Sequence, residues 1–146
     1  MKYLSRGPGE TGQIAAAIAK KLSKAKPSGK AIVIALEGEL GAGKTTFVKG
    51  FARALGIKQK ITSPTFVLIK SYKLKAVSYK LLWHIDAYRL KDHRDLIQLG
   101  VKEILNDPKN IVLIEWSDRV RKILPGNCVT VHIDHVGLNK RSILVK

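Results

Sequence analysis

Ten residues constrain this chain more than any others. Glu37-Gly38-Glu39-Leu40-Gly41-Ala42-Gly43-Lys44-Thr45-Thr46 contains the spacing G-x-x-x-x-G-K-[ST] at Gly38, Gly43, Lys44 and Thr45. An apolar run, Ala31 to Leu36, leads directly into it, and a helix-compatible segment, Thr45 to Leu55, follows. Strand, glycine-rich loop and helix in that order are the context a phosphate-binding loop requires. Glycines let backbone N–H groups turn inward on an anion, and the helix aims its positive end at the same place. In this motif Lys44 reaches the β- and γ-phosphates and the Thr45 hydroxyl takes Mg²⁺.

The chain has 146 residues, the size of one compact domain, and residues 1–146 read as a single α/β unit. No apolar run approaches the length of a membrane span. Met1 to Arg6 lacks the apolar core of a secretory signal, so the cytoplasm is the expected compartment. The single cysteine, Cys128, excludes an intramolecular disulfide and offers no metal cluster. Lys and Arg number 27 against 11 Asp and Glu, a formal charge of +16. Such a field attracts polyanions. Because the lysines are scattered, the charge fits either a solvated surface or contact with nucleic acid or an acidic protein.

Thr11 to Ala25 carries a helical apolar stripe, capped by Ser5 or Thr11. Phe66 to Tyr72 and Val77 to Ile85 read as an antiparallel strand pair, and Arg94 to Leu105 as a short helix weakened by Gly100. Asn110 to Glu115 reads as a buried strand, and Val129 to Asp134 and Ser142 to Val145 as terminal strands. Four apolar residues ending in an acid, Ile111-Val112-Leu113-Ile114-Glu115, form a Walker B-like pattern. There the acid faces a bound metal, and a buried carboxylate needs such a cation. Asp86 also ends an apolar strand and is placed to orient a water or to hold a metal-bound one. His84, two residues earlier, reads as a strand-face histidine making a hydrogen bond. Arg89 pairs either with Asp86 or with phosphate. Thr62-Ser63-Pro64-Thr65 lies between the loop helix and the next strand, where nucleotide-dependent proteins place a segment that senses the γ-phosphate. Ser63 and Thr65 supply its hydroxyls.

Gly38 to Thr46, Ser63-Pro64-Thr65-Phe66, His84-Ile85-Asp86-Ala87-Tyr88-Arg89-Leu90 and Ile114-Glu115-Trp116 together resemble one family in order and spacing. That family is TsaE (YjeE), the bacterial ATPases of tRNA threonylcarbamoyladenosine biosynthesis, and the resemblance runs from about Glu10 to about Arg141. It implies a three-layer P-loop fold, with a mixed sheet of parallel core and antiparallel edge strands flanked by helices. It implies ATP or ADP and Mg²⁺ as ligands, with Thr45 and Glu115 on the metal and Gly41, Ala42, Gly43, Lys44, Thr45 and Thr46 on the phosphates. Asp86 matches a residue needed for hydrolysis, Thr65 the switch threonine, and Trp116 a tryptophan beside the nucleotide. Glu10 and Thr11 match the helix start near the adenine, and Lys140 or Arg141 a late basic residue there. Ala87 and Ser117 depart from the leucine and proline common in the family.

The implied activity is Mg²⁺-dependent ATP hydrolysis, weak alone, that resets a tRNA-modifying complex. The implied partners are the transferase subunit and its noncatalytic paralogue, with tRNA met only through them and no membrane involved. A small nucleoside or nucleotide kinase shares the loop but needs an acceptor site and an arginine-bearing lid. A nucleic-acid-binding module with a vestigial loop is a third reading, and intact Lys44, Thr45, Asp86 and Glu115 oppose it.

Overall fold

In the computed structural model, residues 1–39, 41–62 and 69–146 are described. Seven strands form one sheet: β1 (Lys2–Ser5), β2 (Ile32–Glu37), β3 (Ile69–Lys73), β4 (Leu81–Asp86), β5 (Asn110–Glu115), β6 (Val129–His135) and β7 (Arg141–Val145). Their order across the sheet is β1-β7-β6-β2-β5-β4-β3. The central four are mutually parallel, whereas β3 at one edge and β7 and β1 at the other run antiparallel to their neighbours. This is the mixed sheet expected, with helices on both faces.

The parallel strands are apolar throughout because both their faces are covered. Side chains alternate between two cores. Ile34, Leu36, Leu82, Leu113, Val131 and Ile133 pack with Phe47, Val48, Phe51 and Ala15 of the helices α1 (Pro8–Ser23) and α2 (Lys44–Ala54). Val33, Ile85, Val112 and Ile114 pack on the opposite side. Their partners there are Leu96 of α3 (Arg94–Gln98), Leu105 of α4 (Val101–Asn106), and Val120 in a 3-10 helix over Ser117–Ile123. Cys128 sits half-buried at the margin of that second core. No helix of the described residues is long and apolar enough to cross a membrane.

Several boundaries differ from the sequence reading. Helix α1 starts at Pro8, before Thr11, because proline suits the first turn, where its missing N–H has no partner to lose. Neither Ser5 nor Thr11 caps it: Gly7 is the cap, without a side-chain bond, and the two hydroxyls bond each other 2.7 Å apart in the interior. The segment 94–105 is two helices, split at Gly100, whose φ of 87° no continuous right-handed helix accommodates. The second hairpin strand begins at Leu81, while the first is described only from Ile69, so its expected start at Phe66 lies outside the described residues. Strand β1 and the 3-10 helix were not expected.

Helices α1 and α2 cross with Gly12 against Gly50. A Cβ on Gly50 would lie 2.6 Å from both the Gly12 Cα and its carbonyl oxygen, where only backbone is available to yield. Gly50→Ala therefore sets a helix-propensity gain of about 1 kcal/mol against overpacking of about 1–3 kcal/mol. We expect net destabilisation in urea denaturation; a gain in stability would mean that the helices separate without cost.

Candidate functional site

Parallel pairing brings the ends of three strands to one level. Leu36 of β2 lies opposite Glu115 of β5, and Glu115 opposite Asp86 of β4. By alternation, Leu36, Glu115, Asp86 and His84 all point to the α1/α2 face. Glycine-rich residues 38–43 continue from β2 on that face and enter α2 at Lys44. Gly38 is fixed by contact: a Cβ there would overlap the Ile133 carbonyl oxygen far inside van der Waals contact, so only glycine lets β6 approach. Gly43 precedes the helix in left-handed geometry, φ 106°. Leu40 lies outside the described residues.

Lys44 is almost wholly buried, and its ammonium donates to the carbonyls of Gly38 at 2.6 Å and Glu39 at 2.8 Å. The Trp116 ring centre is 4.0 Å from Nζ. Burial lowers the Lys44 pKa below the usual lysine value, opposed in part by Glu115, Asp86 and Asp118. Glu115 is 3% exposed, and its Oε2 is 2.5 Å from Nε2 of the fully buried His84. The ring N–H donates to the carboxylate, and the buried Nδ1 has no partner among the described residues. This is the hydrogen bond expected of a strand-face histidine. Its partner was not foreseen, because it depends on the β4–β5 register. Asp86 is half-buried and accepts the Tyr88 N–H at 2.9 Å.

Thr45 and Thr46 form the first turn of α2, both half-buried. Gly41, Gly43 and Thr46 share a small pocket with Thr11 of α1 and Arg141 of β7. Arg141 Nε donates to the Ala42 carbonyl at 3.0 Å, so Arg141, rather than the exposed Lys140, is the late basic residue at the loop. Glu10 stays outside this pocket: it is exposed, and its carboxylate accepts the Arg6 N–H at 2.9 Å. Thr65, with Ser63, lies outside the described residues.

Trp116 adopts φ 58°, the one described non-glycine residue with positive φ, which turns the chain from β5 into the 3-10 helix. Its ring meets Tyr88 at 4.9 Å between centres, and the Arg119 guanidinium lies 5.6 Å from it. Ser117, in place of the family's proline, donates to the Leu36 carbonyl at 3.2 Å and ties this turn to β2. On the other face of the sheet, Glu37 accepts from Arg121 at 3.0 Å and lies 3.3 Å from the His132 ring. No sequence signal marked that cluster; it follows from Glu37 and His132 being neighbours across β2 and β6.

The family model for Threonylcarbamoyl adenosine biosynthesis protein TsaE matches residues 6–143. The chain belongs to the TsaE family. Relatives described as tRNA threonylcarbamoyladenosine biosynthesis protein TsaE include one from Bacillus subtilis, 38% identical over 98% of this chain and 83% of its own. The Treponema pallidum TsaE is 34% identical over 99% of both chains. The Haemophilus influenzae TsaE is 39% identical over 73% of this chain and 65% of its own. The crystal structure of Bacillus subtilis YdiB superposes with a TM-score of 0.77 at 35% identity, covering 98% of this chain and 82% of that one. TsaE membership and this structural likeness agree with the fold read from the strand–loop–helix unit.

Two measurements probe the site directly. The folded chain binds the Lys44 proton more weakly than the unfolded chain does, so stability rises with pH between the lowered value and the ordinary 10.5. Compared with Lys44→Met, the wild type should gain stability in denaturant titrations run from neutral pH to about pH 10; a flat difference would contradict the burial. His84→Ala removes the partner of a buried carboxylate and should cost about 2–3 kcal/mol. Loss of under about 0.5 kcal/mol would mean that the pair is not holding Glu115.

Proposed function

We propose that this chain binds and hydrolyses ATP with Mg²⁺ in the threonylcarbamoyladenosine modification of tRNA, acting on the transferase subunit and its noncatalytic paralogue. The observation that carries the reading is the convergence of Lys44, Glu115 and Asp86 at the mouth of one glycine-rich loop.

The residues present fit these ligands. A buried ammonium hydrogen-bonded to loop carbonyls rather than to a carboxylate, among the described residues, is a cation ready to exchange onto phosphate oxygens. The loop amides and the start of α2 suit an anion. Hydroxyl and carboxylate oxygens, from Thr45 and Glu115, are the hard donors that Mg²⁺ prefers. Among the described residues no cluster of three or more His, Cys, Asp or Glu could hold a metal alone. Mg²⁺ commonly takes its remaining positions from water and substrate phosphate.

When bound, Mg²⁺ neutralises charge on the phosphates. The chain supplies the rest. Gly41 to Thr46 bind the phosphates through backbone N–H groups, and Lys44 adds the charge-assisted contact. His84 holds the Glu115 carboxylate in one orientation. Asp86 accepts a hydrogen bond from the attacking water at a carboxylate oxygen and so orients it. Trp116 and Arg141 flank the nucleotide, Thr11 borders the same pocket, and Glu10 lies just outside it. Thr65 senses the γ-phosphate. Release of that contact after hydrolysis changes the loop presented to the partner heterodimer.

Lys44→Ala should remove most ADP affinity, since it deletes a contact of about 1.5–3 kcal/mol; unchanged affinity in calorimetric titration would remove Lys44 from the site. Asp86→Asn should bind ATP with near-normal affinity while kcat falls by about a hundredfold or more, the loss expected for a group acting mainly in the transition state. Phosphate release at the wild-type rate would refute the role of Asp86. ADP formation that requires a nucleoside acceptor, with the γ-phosphoryl group recovered on that acceptor rather than as free phosphate, would favour the kinase reading.

A further inference from the structure

Part of the positive charge that is scattered in the sequence is gathered by the fold. Lys91, Arg94, Arg119, Arg121 and Lys122 line one cleft of about 630 Å³ between the segment 91–94 and the 3-10 helix, with only Asp92 and Asp118 as carboxylates in its wall. Two of these cations are committed, Arg94 to Asp92 at 2.7 Å and Arg121 to Glu37 at 3.0 Å. Lys91 and Lys122 make no ion pair among the described residues, and Arg119 lies over aromatic rings instead of a carboxylate. A second groove shares His93 and Lys122 with the first and extends the same track past Lys30 and Lys102. Beside the cleft, next to Arg119 in its wall, stands Tyr88, 41% exposed, with the Arg119 guanidinium 5.4 Å and the Trp116 ring centre 4.9 Å from its ring.

We propose that this track binds single-stranded RNA, with Lys91, Arg119 and Lys122 on the phosphates and Tyr88 stacking on a base. Unpaired cations arranged along a groove neutralise a backbone. An exposed aromatic ring beside a planar guanidinium adds the flat face that unpaired bases stack on. An acidic protein surface would use the cations but has no need of the ring, so RNA is the partner the geometry favours. The proposal does not depend on ATP hydrolysis, and its test reads binding alone.

The probe is a fluorescein-labelled oligouridylate of about 12 nucleotides, within the span of one single-strand site, titrated with the full chain and followed by anisotropy. Lys91→Gln/Arg119→Gln/Lys122→Gln is compared with Lys20→Gln/Lys21→Gln/Lys24→Gln, an equal loss of charge at exposed positions in the last turn and C-cap of α1. The cleft variant should lose at least about tenfold in affinity and flatten the log–log salt slope by about 2, while the helix variant stays within about twofold. Tyr88→Ala should weaken binding by about tenfold with the slope unchanged. Thermal melts check folding; if the triple variant is not folded, Lys91→Gln/Lys122→Gln carries the comparison, with a slope change of about 1.4. Equal losses in the cleft and helix variants would overturn the proposal in favour of diffuse charge. Competition by polyglutamate as effective as by unlabelled RNA would overturn it in favour of an acidic protein partner.

Discussion

The parallel pairing of β2, β5 and β4 is the constraint on which the site depends. With Leu36, Glu115 and Asp86 at one level, the end of the loop strand and two carboxylates share a single edge of the sheet. A shift of one residue in either register would turn Glu115 or Asp86 into the opposite core, since side chains alternate at every step. The apolar filling of both cores resists that shift. Ile111 and Leu113 belong to one core and Val112 and Ile114 to the other, so a slip would leave Glu115 facing Leu96 and Val120 without a hydrogen-bonding partner. Hydrophobic packing over the body of the strands thus sets the position of charges at their ends.

Those charges are arranged as a small network. Lys44 is the buried cation, with Glu115, Asp86 and Asp118 acting on it, and His84 takes up one oxygen of Glu115. Trp116 covers Lys44 on one side and contacts Tyr88 on the other. Holding a tryptophan at positive φ costs about 1–3 kcal/mol. The Ser117 bond to Leu36 and the packing of Val120 oppose that cost.

What could be read from sequence was what is local. The loop motif, the continuous apolar run before it and the acid ending Ile111 to Ile114 each declare themselves within ten residues, and the structure shows the strands β2 and β5 and the helix α2 that they announce. Features that depend on distant pairing could not be read this way. Strand β1 has four residues and exists by pairing Lys2 with Leu144 at the other end of the chain. The partner of His84 is visible only once β4 and β5 are aligned. Arg94 to Leu105 has a helical stripe throughout, and the left-handed geometry at Gly100 overrides it. Lysines and arginines thirty residues apart, at 91–94 and 119–122, gain a common meaning only when the fold makes them two walls of one cleft.

The ammonium of Lys44, resting on the carbonyls of Gly38 and Glu39, makes the loop its own counterion. An incoming anion therefore enters an exchange: it must offer oxygens as good as two peptide carbonyls and stay long enough for the lysine to swing over. A small inorganic anion makes few other contacts to sustain that swap. A polyphosphate chain anchored along the whole loop does. On the proposed reading, selectivity for long, multiply charged ligands over abundant simple ions would be set by the lysine's resting place, before any contact to a base or a metal.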